Sequence, residues 1–337
     1  MSKFYVAERV KMSILLTGGT GFISSHLARS LVKEGHNIVL FDKFINRKRI
    51  KDILTSVKLV KGDVALWDEV VEVISKHDVE DIFHTATELA VKAEKNHASA
   101  FKTNIEGTFN VFEASKMLGV KKVIFTSSLS VYGPKSGFPI KEDSYRDPTS
   151  FYGVTKVFGE VLGMFYHYKH SIDFRCVRFP VVIGPGRRGQ GVTVIFSTLI
   201  EKAALNEPVT IDIPQNTMLP ILYIKDAVNF LISLWKAEKV RKRIYIVGGI
   251  PISLEKLVET VKRFVPDVQI NVEIDEEAEQ VAKVWTLLTT IVVKAGQDKL
   301  YRSIKELNWE LKYTSVENIV KDFIEYVQKH KDMFTSY

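Results

Sequence analysis

Tyr152 and Lys156 stand four positions apart in the helical stretch Ser150-Phe-Tyr-Gly-Val-Thr-Lys156, so both side chains leave one face of the helix. An ammonium held beside a phenol stabilises the phenolate and lowers a pKa that is ~10 in water. A tyrosine tuned in this way is a general acid/base for an alcohol or a ketone. Such a reaction needs a further hydroxyl to orient the reacting oxygen, and Ser128, just beyond the apolar run Val123–Thr126, is placed to present one. Tyr-x-x-x-Lys also arises by chance, from a surface lysine beside a core aromatic, so the residues around it decide its meaning.

A second group of residues supplies that context. Thr17-Gly-Gly-Thr-Gly-Phe-Ile-Ser24 follows the first apolar strand directly and opens a helix. Glycines there let the chain turn sharply and let a pyrophosphate approach the backbone, while the helix N-terminus offers N–H groups and a partial positive charge. Asp42 closes the second strand, 21 residues after Gly21. A carboxylate at that place accepts hydrogen bonds from the adenosine ribose hydroxyls and repels a 2′-phosphate, which favours NAD over NADP. Arg47, Lys48 and Arg49 nearby are cations that a 2′-phosphate would attract.

These residues must be positioned by alternating strands and helices. Short apolar runs at Ser13–Thr17, Asn37–Phe41, Val57–Val60, Asp81–His84 and Lys122–Thr126 are separated by amphipathic helical patterns. That alternation implies βαβ crossovers and a parallel sheet covered on both faces. The expectation is a doubly wound, Rossmann-type α/β domain over residues 12–180. A smaller C-terminal α/β substrate lobe would follow over 181–337, some of its segments returning to the sheet. In that lobe the spacing predicts helices over 192–206, 225–238, 253–265 and 315–332, and strands near 209–213 and 268–274. The β-branched stretch Thr286–Val293 reads as a buried strand or a lobe interface.

The composition fits a globular chain. Of 337 residues, 46% are hydrophobic and 26% charged, which excludes a disordered or fibrous protein. The net charge of +7 comes from interleaved charges, which points away from a nucleic-acid partner and leaves room for an anionic ligand. The run Lys239, Arg241, Lys242, Arg243 reads as a solvated turn. No apolar stretch reaches the ~20 residues that span a bilayer, so no membrane partner is expected. The single cysteine, Cys176, allows no internal disulfide, and with no secretory signal in the first eleven residues the expected location is cytoplasmic. His167 and His170 share a helix face without a third ligand, so no metal site is expected. His84 reads as a satisfied buried histidine.

The glycine motif, Asp42, Gly62-Asp-Val64, Asn104, Thr126-Ser-Ser-Leu-Ser-Val-Tyr-Gly133 and Tyr152…Lys156 stand in the order and spacing of one family. From about residue 13 to 330 the chain resembles the extended short-chain dehydrogenases/reductases, the NAD-dependent epimerase/dehydratase family. The resemblance implies that Gly18, Gly21, Phe22 and Ile23 hold the pyrophosphate, Asp42 the ribose, and Asp63 and Val64 the adenine. It sets Ala86 and Thr87 along the cofactor and gives Asn104 a role supporting the active-site backbone. Lys156 would also bind the nicotinamide ribose, and Pro180 would pass the nicotinamide ring. The family pairs the helix of Tyr152, here crowded with Phe151, Phe158, Phe165, Tyr166 and Tyr168, across a homodimer.

The chain also departs from the family pattern. Ser24 stands for the third glycine of the motif. Ser128-Leu-Ser130 lacks the acid that dehydratases use. Sugar-nucleotide epimerases hold their diphosphate with an Asn where this chain has Val181 and with an Arg where it has Leu219 or Pro220. Each lost anchor is a charge-assisted bond of about 1.5–3 kcal/mol. Arg187 and Arg188 are the cations that could grip a phosphate or carboxylate instead. The segment Leu-Pro-Ile-Leu-Tyr-Ile-Lys-Asp226 resembles the L-threonine dehydrogenase branch. The first expectation is therefore an NAD-dependent oxidoreductase acting on the secondary alcohol or ketone of a small polar or anionic substrate through Ser128, Tyr152 and Lys156. The alternatives are a nucleotide-sugar 4-epimerase of the UDP-glucose/galactose type that retains its NAD, and a non-catalytic dinucleotide sensor.

Overall fold

The computed structural model describes residues 12–137, 140–141, 143–189, 191–274, 276, 279–280, 282–283 and 304–334. Thr286–Val293, expected to be a strand or an interface, lies outside the described residues.

In chain order the strands are β1 (Ser13–Thr17), β2 (Asn37–Asp42), β3 (Val57–Lys61), β4 (Val79–His84), β5 (Lys122–Ser128) and β6 (Asp173–Phe179). They continue as β7 (Val181–Ile183), β8 (Val209–Ile211), β9 (Met218–Tyr223), β10 (Ile244–Ile246), β11 (Ile250–Ser253) and β12 (Ile270–Val272). The main sheet has seven strands in the order β3-β2-β1-β4-β5-β6-β10, all parallel. This is the doubly wound Rossmann arrangement expected from the alternating pattern. The order reverses between β1 and β4, and at such a switch point the loops diverge to open a ligand crevice at the carboxyl ends of the strands. Thr17, Asp42, His84 and Ser128 are all terminal residues of their strands, which collects them at that edge.

The helices are α1 (Phe22–Lys33), α2 (Trp67–Lys76), α3 (Ala90–Lys95), α4 (His97–Ala100), α5 (Gly107–Leu118) and α6 (Phe151–His170). After them come α7 (Val192–Ala204), α8 (Ile224–Lys236), α9 (Leu254–Phe264) and α10 (Val316–Lys329). Helix α6 has the longest run. Ser150 caps it by accepting from the Gly153 N–H, and its small residues let it lie close to the sheet. A Cβ at Gly159 would come within 2.4 Å of the Phe125 ring, and one at Gly163 within 2.2 Å of the Phe174 ring. Those two aromatic rings of β5 and β6 therefore fix the height at which α6 presents Tyr152 and Lys156.

After residue 180 the chain builds a three-stranded sheet in which β9 pairs in parallel with β7 and antiparallel with β11, and a two-stranded sheet of β8 and β12. Part of this half returns to the first: α8 packs on α1, and β10 pairs with β6. One continuous core runs from Leu16, Leu40 and Ile124 of the main sheet through Phe179 and Phe230 to Leu257 and Phe323. The other face of the sheet has its own core, in which Phe41, Ile82 and Phe125 meet α2, α5 and α6 through Val73, Phe112 and Tyr166.

Candidate functional site

The glycine-rich turn between β1 and α1 fits a dinucleotide on structural grounds. Gly18 has φ +61°, and a Cβ there would sit 2.9 Å from the Ala86 Cα, so this position excludes a side chain twice over. Helix α1 begins at Phe22 after Gly21, and the amides of its first turn, Phe22 and Ile23, have no intrahelical carbonyl to donate to. Asp42 is aimed at the turn: Thr20 donates to its Oδ2 from N–H at 2.9 Å and from Oγ1 at 2.8 Å, and Phe44 N–H donates to its Oδ1 at 3.0 Å. Ser24 does more than replace a glycine, because its buried hydroxyl lies 2.6 Å from Thr85 Oγ1 and ties α1 to the end of β4.

The remaining expected cofactor residues flank the same crevice. Asp63 follows β3, receives the Ala65 N–H at 3.0 Å and pairs with Lys43 at 2.6 Å. Val64 is buried behind it, its carbonyl accepting from Asn110 at 3.0 Å. Ala86 and Thr87 follow β4, the Ala86 N–H held by Thr17 Oγ1 at 3.2 Å. Asn104, buried in the π-helical turn Phe101–Glu106, accepts from Glu88 N–H at 2.7 Å and donates to the Glu88 carbonyl at 3.0 Å and to Thr155 Oγ1 at 3.2 Å. One amide thus fastens the chain just after Thr87 to the helix of Tyr152. Pro180 is the buried link between β6 and β7.

Ser128, Tyr152 and Lys156 come together at the end of β5. The Lys156 ammonium donates to the Thr126 carbonyl at 2.9 Å and lies 5.4 Å from the centre of the Tyr152 ring. Ser128 lies near enough to the Tyr152 phenol to lower its pKa, and its Oγ lies 3.1 Å from Ser130 Oγ. Burial pushes the Tyr152 pKa up to about 12, against the pull of Ser128 and of the Arg187 charge. Burial brings Lys156 down to about 8, while the Glu160 carboxylate holds it up. The ammonium is therefore still the main form at neutral pH, in reach of a phenol that is costly to ionise in a ligand-free crevice. His84 is a satisfied buried histidine: it stacks on Phe125, and Thr17 Oγ1 and Thr108 Oγ1 contact its ring nitrogens at 2.7 and 3.0 Å. Burial, reinforced by the Lys156 charge, lowers its pKa to about 3, so it stays neutral.

The two expected anion clamps separate. Arg187 donates to the Val182 carbonyl and to Thr193 Oγ1 at 3.0 Å, and its charge acts on Tyr152. Burial lowers its pKa to about 10, which leaves it charged at neutral pH. Arg188, the other candidate clamp, is not brought beside Tyr152. It turns to the opposite side, pairing with Glu201 at 3.0 Å and donating to the Phe334 carbonyl at 3.0 Å.

The sequence reading had missed a buried support beneath these groups. Glu160 lies four residues beyond Lys156 on α6 and is fully buried; it receives Arg178 of β6 through two bonds of 2.7 and 2.6 Å and Ser127 Oγ at 2.7 Å. Its spacing, Tyr152-x-x-x-Lys156-x-x-x-Glu160, was the available signal. Thr193, the side-chain partner of Arg187, carried none. His167 gives a ring nitrogen to the Ile172 carbonyl contact at 2.8 Å, and His170 packs against Phe165 and Tyr166.

The sequence model of the NAD dependent epimerase/dehydratase family matches residues 14–248, the span from β1 to just past β10. The chain belongs to this family. It is an enzyme, an oxidoreductase of the NAD-dependent kind. Among its relatives is the mitochondrial L-threonine 3-dehydrogenase of Bos taurus, 26% identical over 287 residues, 83% of this chain and 76% of that protein. Among solved structures, the L-threonine dehydrogenase of Clostridium difficile superposes with a TM-score of 0.82 at 26% identity, covering 96% of this chain and 99% of that one. The UDP-glucose 4-epimerase of Thermotoga maritima shares the fold, with a TM-score of 0.78 at 24% identity over 94% of this chain and 99% of that one. Among the described residues, no helix of this family member is long and apolar enough to cross a membrane.

Proposed function

We propose that this enzyme is an NAD-dependent dehydrogenase of a small amino alcohol that carries a carboxylate, with L-threonine as the model substrate. The observation that carries the reading is a charged Arg187, held by the Val182 carbonyl and Thr193 Oγ1, near enough to the Tyr152 phenol for its charge to lower that pKa. It supports an anionic group held on the same side as the reacting hydroxyl, as the carboxylate of a β-hydroxy amino acid would be. Resemblance to two L-threonine dehydrogenases supports it as well. Epimerase-type anchors are missing for a physical reason: Val181, Leu219 and Pro220 are buried in the β7-β9-β11 sheet and present no polar side chain to a diphosphate.

The residues divide the work as follows. Bound NAD, held by Gly18, Gly21, Phe22 and Ile23 at its pyrophosphate and by Asp42 at its ribose, supplies the hydride acceptor. Asp63 and Val64 flank the adenine, and Ala86, Thr87 and Pro180 line the path towards the nicotinamide. Arg187, oriented by Thr193, pairs with the substrate carboxylate. Ser128 donates to the substrate oxygen, and Tyr152 takes its proton as the carbon–hydrogen bond breaks and the ketone forms. Lys156 stabilises the phenolate and the ribose hydroxyls, and the proton leaves through this pair to solvent. The preference for NAD over NADP rests on the Asp42 carboxylate.

A homodimer is part of the same proposal. Val154, Val161, Phe165 and Tyr168 form an exposed apolar stripe on α6, beside Phe109 and Met117 on α5, and such a patch fits a two-fold helix pairing. Sedimentation of the wild type and of Phe165→Glu tests it; a wild type that sediments as a monomer removes the dimer. The lone cysteine, Cys176, is buried and supports a cytoplasmic setting.

The function is tested by incubating the protein with NAD and either L-threonine or UDP-glucose. Absorbance at ~340 nm follows the reduced cofactor, and product sugars are analysed in parallel. NADH formed with L-threonine is the expected result. UDP-galactose formed without NADH overturns it and makes the enzyme a 4-epimerase.

A further inference from the structure

The loop that presents Arg187 is gripped from both halves of the molecule. His26, on the cofactor helix α1, places Nε2 3.0 Å from the Pro185 carbonyl. Arg49, in the segment after β2, donates from Nη2 to the Gly186 carbonyl at 2.7 Å and from Nη1 to the Thr20 carbonyl at 3.0 Å. From the lobe, Glu201 of α7 accepts the Gly186 N–H at 2.7 Å, and Ser197 accepts the Gly184 N–H at 3.3 Å. The peptide groups on either side of Gly186 are therefore pinned between a cation of one half and an anion of the other. Gly186 itself has φ +82°, the turn after which Arg187 and Arg188 part. His26 is half-buried, and desolvation with the Arg29 charge lowers its pKa to about 3, so it is neutral and a contact between its Nε2 and a carbonyl oxygen fixes the tautomer that carries the proton on Nε2.

One guanidinium thus bridges the glycine-rich turn and the substrate loop. The turn's own Thr20 is bonded to Asp42, so an unbroken line of contacts runs Asp42–Thr20–Arg49–Gly186–Arg187. Each member is a backbone group or a planar side chain held at two points, which leaves little freedom for the loop to shift while the turn stays fixed.

We infer that Arg49, seconded by His26, is a positioning residue for Arg187: it fastens the carboxylate clamp to the turn that holds the cofactor's pyrophosphate. It couples the two sites, so a cofactor-filled turn presents the clamp at its working position. This inference rests on the reading of Arg187 as the carboxylate clamp. It also assigns the basic residue after β2 a duty other than binding a 2′-phosphate, since two of its N–H groups are directed at backbone carbonyls.

The test uses the full chain saturated with NAD. Calorimetry measures binding of L-2-aminobutyrate, which has the carboxylate and no reacting hydroxyl, and steady-state rates are taken with L-threonine and with L-threoninol, which lacks the carboxylate. In Arg49→Met, Kd for L-2-aminobutyrate and KM for L-threonine are expected to rise about tenfold, with kcat falling less than KM rises and with L-threoninol kinetics changing much less. Arg49→Lys, which can reach one of the two carbonyls, is expected to recover part of the loss, and His26→Phe to show a smaller effect of the same kind. Arg49→Met/Arg187→Met is expected to bind L-2-aminobutyrate no more weakly than Arg187→Met alone, because the positioned group is gone. Equal losses for L-threonine and L-threoninol, or fully additive losses in the double variant, overturn the positioning role. If Arg187→Met itself binds L-2-aminobutyrate normally, the clamp reading fails first and the inference falls with it. If Arg49→Met does not fold, Arg49→Lys and His26→Phe carry the same comparison.

Discussion

Replacing Arg187 by Met removes one charge and keeps most of the side-chain volume, and two independent consequences follow from its position. The first concerns binding. A guanidinium–carboxylate contact is charge-assisted and contributes about 1.5–3 kcal/mol net. At about 1.4 kcal/mol per tenfold, kcat/KM for L-threonine should fall roughly 10- to 150-fold. The second concerns protonation. The Arg187 charge lowers the Tyr152 pKa, which burial has raised to about 12, so losing it lets that pKa climb further. Alcohol oxidation needs the phenolate, so activity rises with pH through this ionisation, and the rising limb of the variant should lie at higher pH than that of the wild type. Initial rates of NADH formation with L-threonine and L-threoninol, taken across the alkaline range, measure both effects. A loss of equal size with the two substrates would remove the carboxylate contact from the argument. A rising limb that stays in place or moves to lower pH would remove the electrostatic one.

Three further substitutions probe the scaffold of the site. Glu160→Gln should leave the buried Arg178 charge uncompensated and lower the unfolding free energy by about 3–5 kcal/mol. Urea denaturation checks it, and a loss below about 1 kcal/mol contradicts the importance of the pair. Gly18→Ala places a methyl 2.9 Å from backbone atoms in a left-handed conformation, so NAD binding by calorimetry should weaken at least tenfold and the melting temperature should fall; unchanged affinity would count against the turn as the cofactor cradle. Asp42→Ser should lower NAD affinity about tenfold or more and raise the NADP/NAD preference, since a charged acceptor of ribose hydroxyls and the anchor of Thr20 are both lost. A preference that does not move refutes the role of its charge.

Much of the fold could be read from strand-sized apolar runs. The expected strands β1 to β5 lie within one or two residues of their observed limits; β1, β2 and β5 are buried on both faces and so carry near-continuous apolar runs, while the edge strand β3 keeps Lys58 and Lys61 in its run. Ser128, Tyr152 and Lys156 were legible for a related reason: a helix face and a strand terminus are local geometry, and local geometry follows from spacing. The return of α8 and β10 to the main sheet was less legible. Ile244–Val247 reads as a strand from its sequence, but its place beside β6 does not, because an open edge is a property of the whole sheet. The Glu160–Arg178 pair, 18 residues apart in sequence, depends on α6 lying against β6 at the height set by two glycines.

The substrate side was the least legible, and the reason is visible in one turn. Arg187 and Arg188 are chemically alike and adjacent, yet one bonds Thr193 and acts on Tyr152 while the other pairs with Glu201. Their directions are decided by the φ of Gly186 and by four contacts to Gly184, Pro185 and Gly186 from side chains lying between 13 and 159 residues away. No local spacing encodes that choice. The same turn explains how this chain differs from relatives that grip a diphosphate. With Val181, Leu219 and Pro220 given over to the lobe's core, anion recognition cannot come from those strands, and the cation besides Lys156 whose charge reaches Tyr152 is one whose loop is held from the cofactor side. A clamp aimed in that way favours a small anion beside the nicotinamide over a large one reaching across the lobe. On the proposed reading, the orientation of a single arginine, more than the family's shared catalytic residues, would separate the dehydrogenase from the epimerase.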